Sequence, residues 1–243
     1  MNSESSQQQH LNVVITGASK GMGKAIAEKF AAEGHNVFLC ARNKKELELT
    51  ASEITNANPG ITVNSHSVDL SVKEDAIAGG KIILEKINRV DILVNNVGQF
   101  IPGSVYNEED GTLEKMIGIN LLAAYHLTRS LLPNMIERKS GHIFNVSSIA
   151  ALKAYANGGA YSISKFAVMG FSKNLREEMK AFNIKVTTIY PGAVYTASWE
   201  GSGVERGRIM EANDIAEAVL MAIRLSPQAC VEDIVIRPQL GDL

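Results

Sequence analysis

Short apolar runs alternate with longer segments of helical periodicity along most of the chain. The runs span about four to eight residues and are rich in Val, Ile and Leu, which is typical of strands buried on both faces. In the segments between them, apolar residues recur three or four positions apart, as the buried face of an amphipathic helix requires. Alternating strands and helices favour a parallel sheet covered by helices on both faces. The pattern therefore predicts a single-domain α/β fold with a doubly wound sheet of about seven strands.

The bounds of these elements follow from where the apolar pattern starts and stops. Strands are predicted at 11–16, 36–41, 61–68, 91–95, 142–146, 184–190 and 231–237. Helices are predicted from the glycine-rich turn at 17–23 to 33, at 44–57, from 71 to 88, from 110 or 112 to 139, at 160–182 and from 213 or 214 to 225. The segment 131–133 contains a proline, and we expect it to interrupt the fourth helix.

Helix starts can be predicted from residues whose side-chain oxygen accepts an otherwise unpaired backbone N–H. Ser71 is predicted to cap the third helix, with Glu74 completing a capping box three residues later. Asp69 could cap this helix instead. Asn213 or Asp214 is predicted to cap the last helix.

The composition is that of an ordinary globular protein, with 45% hydrophobic residues and a net charge of −2. This charge gives no reason to expect a nucleic acid or an anionic membrane as a partner. Residues 1–10 are polar, resemble no targeting peptide and are predicted to be a disordered tail before the domain at 11–243. We expect a cytoplasmic protein, in which Cys40 and Cys230 are small buried hydrophobic residues rather than metal ligands.

A glycine-rich sequence, TGASKGMG at 16–23, lies between the first strand and the first helix. Gly17 permits a tight turn, Gly21 lets the backbone approach a pyrophosphate, and Gly23 lets the helix pack closely on the strand. The N-terminus of the helix offers unpaired N–H groups to phosphate oxygens. A glycine pattern alone could be a structural turn, but its place between a strand and a helix favours a dinucleotide site.

The end of the second strand favours NADP(H) over NAD(H). An NAD site usually has an acid there to bind the ribose hydroxyls, but the chain has Arg42, and the first acid is Glu46. The guanidinium of Arg42 suits a 2′-phosphate, and Lys20 in the glycine-rich turn adds a second cation. Both could instead be solvated surface charges.

Tyr161 and Lys165 lie four residues apart near the start of a predicted helix, so both side chains are on one face. A cation beside a phenol lowers the pKa of the phenol and suits it to proton transfer near neutral pH. An isolated pair of this kind is more often a solvated helix face. Asn120 lies among apolar residues of the preceding helix and is expected to have hydrogen-bond partners or to distort that helix.

Chemistry-bearing residues gather where the predicted strands end, and ligands bind at that edge of an open parallel sheet. A cofactor lying across the edge would bring its nicotinamide close to Ser148 and Tyr161. His142 falls at the opposite end of its strand and is discounted. The strand ends concerned are Thr16, Asn95, Ser148 and Tyr190.

The order and spacing of these motifs resemble the short-chain dehydrogenase/reductase family over nearly the whole chain. The chain resembles 3-oxoacyl-carrier-protein-reductase-like members most and sepiapterin-reductase-like members less closely. The family's Asn-Asn-Ala-Gly is Asn-Asn-Val-Gly here, which changes packing at a tight site. The matching motifs are TGxxxGxG at 16–23, Asp69, NNVG at 95–98, Asn120, Ser148, YxxxK at 161–165 and Pro191-Gly192.

The resemblance implies a Rossmann fold and a catalytic set of Asn120, Ser148, Tyr161 and Lys165. Tyr161 would be the general acid in reduction or the base in oxidation, with Lys165 lowering its pKa and holding the nicotinamide ribose. Ser148 would hydrogen-bond the substrate carbonyl, and Asn120 would hold a water that relays protons from Lys165. The resemblance also implies cofactor contacts. Asp69 and Leu70 would contact the adenine, Asn96 the adenosine-side ribose, and Pro191, Gly192, Val194 and Thr196 the carboxamide. The other implied cofactor contacts are Gly17, Ser19, Lys20, Gly21, Met22, Gly23, Arg42, Gly98, Tyr161 and Lys165.

Two functions of different classes fit these residues. The first is an NADP(H)-dependent carbonyl reductase or alcohol dehydrogenase acting on a small molecule. The second is a regulator that binds NADP(H) without turnover, although such proteins commonly lose the Tyr or the Lys. Substrate choice is expected in the loops 99–107, 150–159 and 193–207, the last of which has no clear pattern and is predicted to be mobile. The resemblance also implies a homotetramer or a homodimer.

Overall fold

A computed structural model describes residues 10–196, 199, 201 and 203–243, so all but one residue of the predicted N-terminal tail lies outside the described part. Seven parallel strands form one sheet in the order β3-β2-β1-β4-β5-β6-β7, which confirms the predicted doubly wound α/β architecture. The strands are β1 (Asn12–Thr16), β2 (Asn36–Ala41), β3 (Val63–Ser67), β4 (Ile92–Asn95), β5 (Gly141–Val146), β6 (Ile184–Pro191) and β7 (Asp233–Ile236).

Helices cover both faces of this sheet. They are α1 (Gly21–Ala32), α2 (Lys44–Ala57), α3 (Lys73–Ile87), α4 (Thr112–Ile117), α5 (Ala123–Arg138), α6 (Gly159–Met179) and α7 (Ala212–Ile223). One π-helical segment joins α4 to α5 at Gly118–Leu122. None of the helices in the described part of the chain combines the length and the apolar character that crossing a bilayer requires.

The core divides into two layers because alternate residues of a strand point to opposite faces of the sheet. Val13 and Ile15 of β1 belong to the layer beneath α1 and α7, whereas Val14 belongs to the layer beneath α3, α5 and α6. All three side chains are fully buried. Because both faces of β1 are covered, its sequence reads as a continuous apolar run, as predicted.

The predicted break in the fourth helix is in the wrong place. Helix α5 continues through Pro133, and the irregular turn lies earlier, at the π-helical segment Gly118–Leu122. Asn120 lies in this segment, and its side chain is hydrogen-bonded to Gln99 and Ser164. We attribute the wider turn to these bonds, since π-turns arise where local side-chain contacts compete with the helical ladder.

Two predicted helix caps are also wrong. Helix α3 begins with Val72 at its N-cap, because the amide and hydroxyl of Ser71 both donate to Asp69 in a local turn. The predicted Ser71–Glu74 capping box therefore does not form. Helix α7 has Glu211 at its N-cap position, and the backbone N–H of Glu211 donates to the Asp214 carboxylate at 2.9 Å.

Candidate functional site

The glycine-rich turn brings the backbone of β1 and α1 close together at the carboxyl edge of the sheet. Gly17 and Gly21 have φ values of +65° and +56°, which residues other than glycine rarely adopt. A Cβ on Gly23 would overlap the carbonyl oxygen of Gly17. Helix α1 begins at Gly21, so its unpaired N–H groups lie at this edge. The turn thus has the close backbone approach that a pyrophosphate requires.

The strand next to the turn, β4, is tied to it through Thr16. The Thr16 hydroxyl accepts hydrogen bonds from the backbone N–H groups of Asn96 and Val97, at 2.9 and 3.1 Å. The Asn96 side chain donates to the carbonyl of Thr16 at 3.0 Å, and its own buried Oδ1 has no partner within the described part of the chain. A buried polar atom without a partner is uncommon, so this oxygen fits a site that takes a hydroxyl or amide donor from a ligand.

The opposite wall of the cleft comes from the segment after β6. A Cβ placed on Gly21 would lie 3.2 Å from the methyl carbon of Thr196, so Thr196 stands across from the glycine-rich turn. Val194 is buried and pairs with Met210 through a single bridge. Gly192 follows Pro191, and its amide donates to the carbonyl of Ile236. The structure therefore brings the predicted 191–196 stretch to the same cleft.

Arg42 lies at the other end of the cleft, beyond β2. Its guanidinium is 63% exposed and stands 4.0 Å from the Asp69 carboxylate. Burial tends to raise the pKa of Asp69, but hydrogen bonds from Ser71 and the charge of Arg42 outweigh this effect and lower it. Leu70 is buried beside Asp69. Lys20 is exposed in the glycine-rich turn, so both predicted cations remain open to solvent.

Glu46 is a contact that the sequence analysis missed. The hydroxyl of Ser19 donates to the Glu46 carboxylate at 3.4 Å, and the Ser19 carbonyl accepts from Thr50 at 3.0 Å. Helix α2 thereby places an acid against the glycine-rich turn. A signal was available, because Glu46 lies in the first turn of α2 and is the first acid after β2. Met22, the remaining predicted contact in the turn, packs against the apolar layer under α1.

Ser148 and Tyr161 meet at the centre of the carboxyl edge. Ser148 follows β5, and its hydroxyl accepts the backbone N–H of Ala150 at 3.1 Å. Tyr161 is in the first turn of α6, and its phenol lies close enough to Ser148 for that side chain to act on the pKa of the phenol. Burial raises the pKa of Tyr161, the Ser148 side chain lowers it, and the nearby Tyr155 raises it, with a net increase. The phenol therefore keeps its proton at neutral pH.

Lys165 lies one helical turn after Tyr161 but does not lower the pKa of Tyr161 in this structure. Its ammonium is 5.8 Å from the centre of the Tyr161 ring and donates to the carbonyl of Val146 at 3.1 Å. Only 4% of Lys165 is exposed, and burial lowers its own pKa to about 8. The expected effect on Tyr161 is wrong here because the ammonium is directed at the end of β5, and a weakly solvated cation is less often charged.

Asn120 and Gly98 complete this cluster. The Asn120 side chain accepts the N–H of Gln99 at 2.8 Å and donates to the Gln99 carbonyl and to the Ser164 hydroxyl. A Cβ on Gly98 would lie 3.3 Å from Asn120 Oδ1 and 3.4 Å from Lys165 Nζ, so both groups flank Gly98. Asn120 is buried and has partners, as the sequence predicts. Its role in a water relay stays a prediction.

Aromatic side chains line the approach to Tyr161. The ring of Phe100 packs edge-on against the Tyr161 ring, with centroids 4.8 Å apart, and Phe100 remains 53% exposed. Tyr155, in the loop before α6, is 46% exposed. Farther along, the guanidinium of Arg206 lies 5.3 Å from the ring centre of Tyr195. The Trp199 amide donates to the Thr196 carbonyl, and residues 197, 198, 200 and 202 of this predicted loop lie outside the described part of the chain.

Three residues that the sequence analysis set aside lie away from this cluster. His142 is buried at the amino end of β5, where its ring is hydrogen-bonded to Thr187 and burial lowers its pKa to about 3. Cys40 is fully buried, and burial raises the pKa of its thiol to about 12. Cys230 is partly buried, and its thiol is directed at the carbonyls of Val186 and Val231.

The sequence matches a known protein family over most of its length. The family model for short chain dehydrogenases matches residues 11–206. The chain belongs to the short-chain dehydrogenase family. An uncharacterized oxidoreductase of Staphylococcus epidermidis is 30% identical over 93% of this chain and 96% of its own. A similar protein from Staphylococcus aureus is 31% identical over the same shares.

Several solved structures resemble the chain over nearly its full length. A Thermococcus sibiricus alcohol dehydrogenase complexed with 5-hydroxy-NADP has a TM-score of 0.88 and 26% identity, covering 97% of this chain and 99% of its own. A metagenomic short-chain oxidoreductase in complex with NADP has a TM-score of 0.81 and 33% identity, covering 94% and 97%. The L-sorbose reductase of Gluconobacter frateurii, complexed with NADPH and L-sorbose, has a TM-score of 0.87 and 27% identity, covering 94% and 95%.

Proposed function

We propose that this short-chain dehydrogenase is an NADP(H)-dependent oxidoreductase that interconverts a carbonyl and an alcohol, with Tyr161 as the general acid or base. The observation that carries the proposal is the proximity of the Tyr161 phenol to Ser148, whose side chain acts on the pKa of that phenol, with Lys165 one helical turn away. These groups lie at the carboxyl edge of a doubly wound sheet, where ligands bind in such folds.

The cleft has the features that a dinucleotide needs. The positive φ values at Gly17 and Gly21, and the room that only a glycine leaves at position 23, fit the close approach of a pyrophosphate. The unpartnered Oδ1 of Asn96 fits a ribose hydroxyl beside the turn. NADPH, when bound, supplies the hydride. The 5-hydroxy-NADP, NADP and NADPH present in three similar structures support the same class of cofactor for this chain.

The 2′-phosphate would be held by Arg42 and Lys20. Both side chains are exposed near the adenosine end of the cleft, and a guanidinium binds phosphate through two parallel hydrogen bonds. Asp69 and Leu70 would lie against the adenine. Glu46 is the competing group, since a carboxylate against the glycine-rich turn repels a phosphate. Its bond to Ser19 holds it on the α2 side, so we favour NADP(H).

The site is set for proton donation in the direction of reduction. Burial raises the pKa of Tyr161, so the phenol holds a proton that it can give to the alkoxide oxygen of the product. The Ser148 hydroxyl, which lies beside this phenol, would hydrogen-bond the same substrate oxygen and stabilise the charge that develops on it. Phe100 and Tyr155 flank this position and suit a carbonyl compound with an apolar or planar substituent.

A regulator that binds NADP(H) without turnover is the alternative function. Both Tyr161 and Lys165 are present and close to Ser148, which favours an enzyme. The test is to mix the protein with NADPH and a panel of ketones, diketones and quinones, and to follow NADPH absorbance. Turnover with any carbonyl compound supports the proposal. Tight NADPH binding with no turnover on the whole panel would favour the regulator.

A further inference from the structure

Helix α6, which carries Tyr161 in its first turn, begins without a local side-chain cap. Gly158 occupies the N-cap position and has no side chain that could accept an N–H. The backbone N–H of Ala160 instead donates to a carboxylate oxygen of Glu108 at 3.0 Å, across 52 residues of sequence. Glu108 belongs to the loop 99–111 and is partly buried. A distant acid therefore caps the helix, and its negative charge also suits the positive end of the helix dipole.

The loop 99–111 is held against the start of α6 by further bonds. The Gly103 amide donates to the Asn157 carbonyl at 3.2 Å, and the Ser104 hydroxyl donates to the Asn157 side chain at 2.7 Å. At its beginning, the loop is fixed by the pair of bonds between Gln99 and Asn120. The loop is thus attached at its start, its middle and its end.

The glycine at position 159 permits this close contact. Gly159 has φ +37°, and a Cβ there would overlap the Gly103 carbonyl and crowd the Glu108 carboxylate. Any larger residue would push the loop 99–111 away from α6. The backbone is therefore shaped so that Glu108 can reach the Ala160 N–H.

The same loop touches the phenol itself. Phe100 packs on the Tyr161 ring, while Glu108 holds the residue immediately before Tyr161. The groups that shift the pKa of Tyr161 are its burial, Ser148 and Tyr155, and Glu108 is not one of them. Any influence of Glu108 on the phenol must therefore pass through the position of the helix.

We propose that Glu108 is a positioning residue, which fixes the first turn of α6 and so holds the Tyr161 phenol at Ser148. The proposal rests on the proposed catalytic role of Tyr161. Loss of the bond to Ala160 would let the first turn of α6 move, and small displacements of a catalytic group are costly in rate. The cofactor cleft, on the other side of Tyr161, is expected to be unaffected.

Three variants separate the reach of Glu108 from its charge. Glu108→Gln keeps the acceptor oxygen and loses the charge, Glu108→Asp keeps the charge and loses the reach, and Glu108→Ala loses both. Glu109→Ala, an exposed neighbour on the same loop, is the control. We expect kcat to fall about ten-fold in Glu108→Ala, because the first turn of α6 would no longer be fixed and the phenol would move from its place beside Ser148. Glu108→Gln should keep at least about half of kcat, and Glu108→Asp should lie between them.

The accompanying measurements exclude a merely structural role. The dissociation constant for NADPH should stay within about two-fold in all variants, and the pH profile of kcat in Glu108→Gln should superimpose on the wild-type profile. Glu108→Gln as slow as Glu108→Ala, or slower than Glu108→Asp, would overturn the proposal. So would a Glu108→Ala enzyme as fast as the Glu109→Ala control. If Glu108→Ala does not fold, the comparison of kcat between Glu108→Gln and Glu108→Asp still tests the proposal.

Hydrogen exchange tests the cap independently of activity. In Glu108→Ala, the amides of a peptide covering residues 158–162 should exchange about ten-fold faster, while those of Glu109→Ala should not change. Unchanged exchange in Glu108→Ala would show that the cap is absent. If the wild-type protein reduces no carbonyl compound, the proposed function fails, yet faster exchange would still establish the contact between Glu108 and α6.

Discussion

The two edges of the sheet use buried polar groups in different ways. At the amino edge, the buried Asp91 accepts hydrogen bonds from the side chains of Arg89 and Arg138 and from the backbone N–H of Asn12. These groups satisfy one another. Asp91 also fixes the starts of β1 and β4 relative to α5, so this edge serves the fold.

At the carboxyl edge, buried polar groups keep capacity for further hydrogen bonds. Lys165 has three donors, and within the described part of the chain its ammonium donates a hydrogen bond to the Val146 carbonyl. Asn96 has a buried oxygen without a partner within the described part of the chain. The difference shows how a functional edge can be recognised: its buried polar groups are held in place by the protein but are not saturated by it.

Among changes at the carboxyl edge, loss of the Tyr161 hydroxyl should have the largest effect on kcat. We expect Tyr161→Phe to lower kcat for reduction by about 10³-fold, because the general acid is removed. The dissociation constant for NADPH should change by less than about three-fold, since the ring and the cleft remain. Steady-state kinetics and NADPH fluorescence measure the two effects. Tyr106→Phe, at an exposed tyrosine, is the matched control, and comparable turnover in the two variants would remove Tyr161 from its assigned role.

At the amino edge, the corresponding change should affect stability rather than catalysis. Asp91→Asn leaves Arg138 and Arg89 without their buried counter-charge and should lower the free energy of unfolding by about 3 kcal/mol. Urea denaturation measures this loss, with the exposed Asp110→Asn as a control. The kcat of the folded Asp91→Asn variant should equal that of the wild type. A variant with full stability and reduced kcat would reverse the roles that we give to the two edges.

Titration of Lys165 should make stability rise in alkali. Its pKa is about 8 in the folded protein, whereas the ordinary value is 10.5. Below pH 8 the side chain is charged in both states, so burying the charge lowers the free energy of unfolding by its full amount. Between pH 8 and 10.5 the unfolded chain binds the proton more tightly than the native chain does. The wild type should therefore gain about 3 kcal/mol over this range relative to Lys165→Met. A flat difference between the two proteins from pH 8 to 10.5 would mean that Lys165 is not desolvated.

His142 gives the opposite test at the amino edge. Its pKa is about 3 in the fold and 6.5 ordinarily, so the neutral ring is favoured by folding. The contribution of the neutral His142 ring to the free energy of unfolding is fully present above pH 6.5 and is lost as the pH falls. The loss should be about 2 kcal/mol at pH 5 relative to His142→Asn. Thermal unfolding of the wild type and of His142→Asn at pH 7 and pH 5 measures this loss of stability. Equal acid sensitivity of the two proteins would contradict the neutral, Thr187-bonded ring.

The smallest predicted effect concerns cofactor choice. Arg42→Asp should shift preference from NADPH toward NADH by about ten-fold in kcat/KM, because it repels the 2′-phosphate and offers an acceptor to the ribose hydroxyls. Glu46→Gln should shift preference in the other sense, toward NADPH. An unchanged ratio of the two cofactors in Arg42→Asp would show that Arg42 does not contact the phosphate.

The features that could be predicted from the sequence are those with a local pattern. The two-sided strands are apolar because they are covered on both faces, and the glycine-rich turn is recognisable because its backbone needs specific φ values. Ser148 and Tyr161 could be placed at one edge because parallel strands end on the same side. The cause of the first two features lies within a few residues of the sequence pattern, and the third follows from a general rule of parallel sheets.

The features that could not be predicted depend on contacts between distant segments. The bond from Ala160 to Glu108 spans 52 residues, and no pattern near either residue announces it. A distortion at Asn120 could be expected, but the π-turn itself requires Gln99 to be nearby, which no local pattern shows. The orientation of Lys165 toward Val146, rather than toward the phenol, depends on how α6 packs on β5. A helical spacing of four gives a shared face but does not give the direction of a long, flexible side chain.

The transfer of hydrogen from cofactor to substrate tests the central claim most directly. The protein would be incubated with NADPH that carries deuterium at both C4 positions of the nicotinamide and with the carbonyl compounds of the panel, and the products analysed by mass spectrometry. We predict an alcohol that carries deuterium on its carbinol carbon, formed by the wild type and at background level by Tyr161→Phe. If no product gains deuterium under conditions in which NADPH binds, the protein is not a carbonyl reductase.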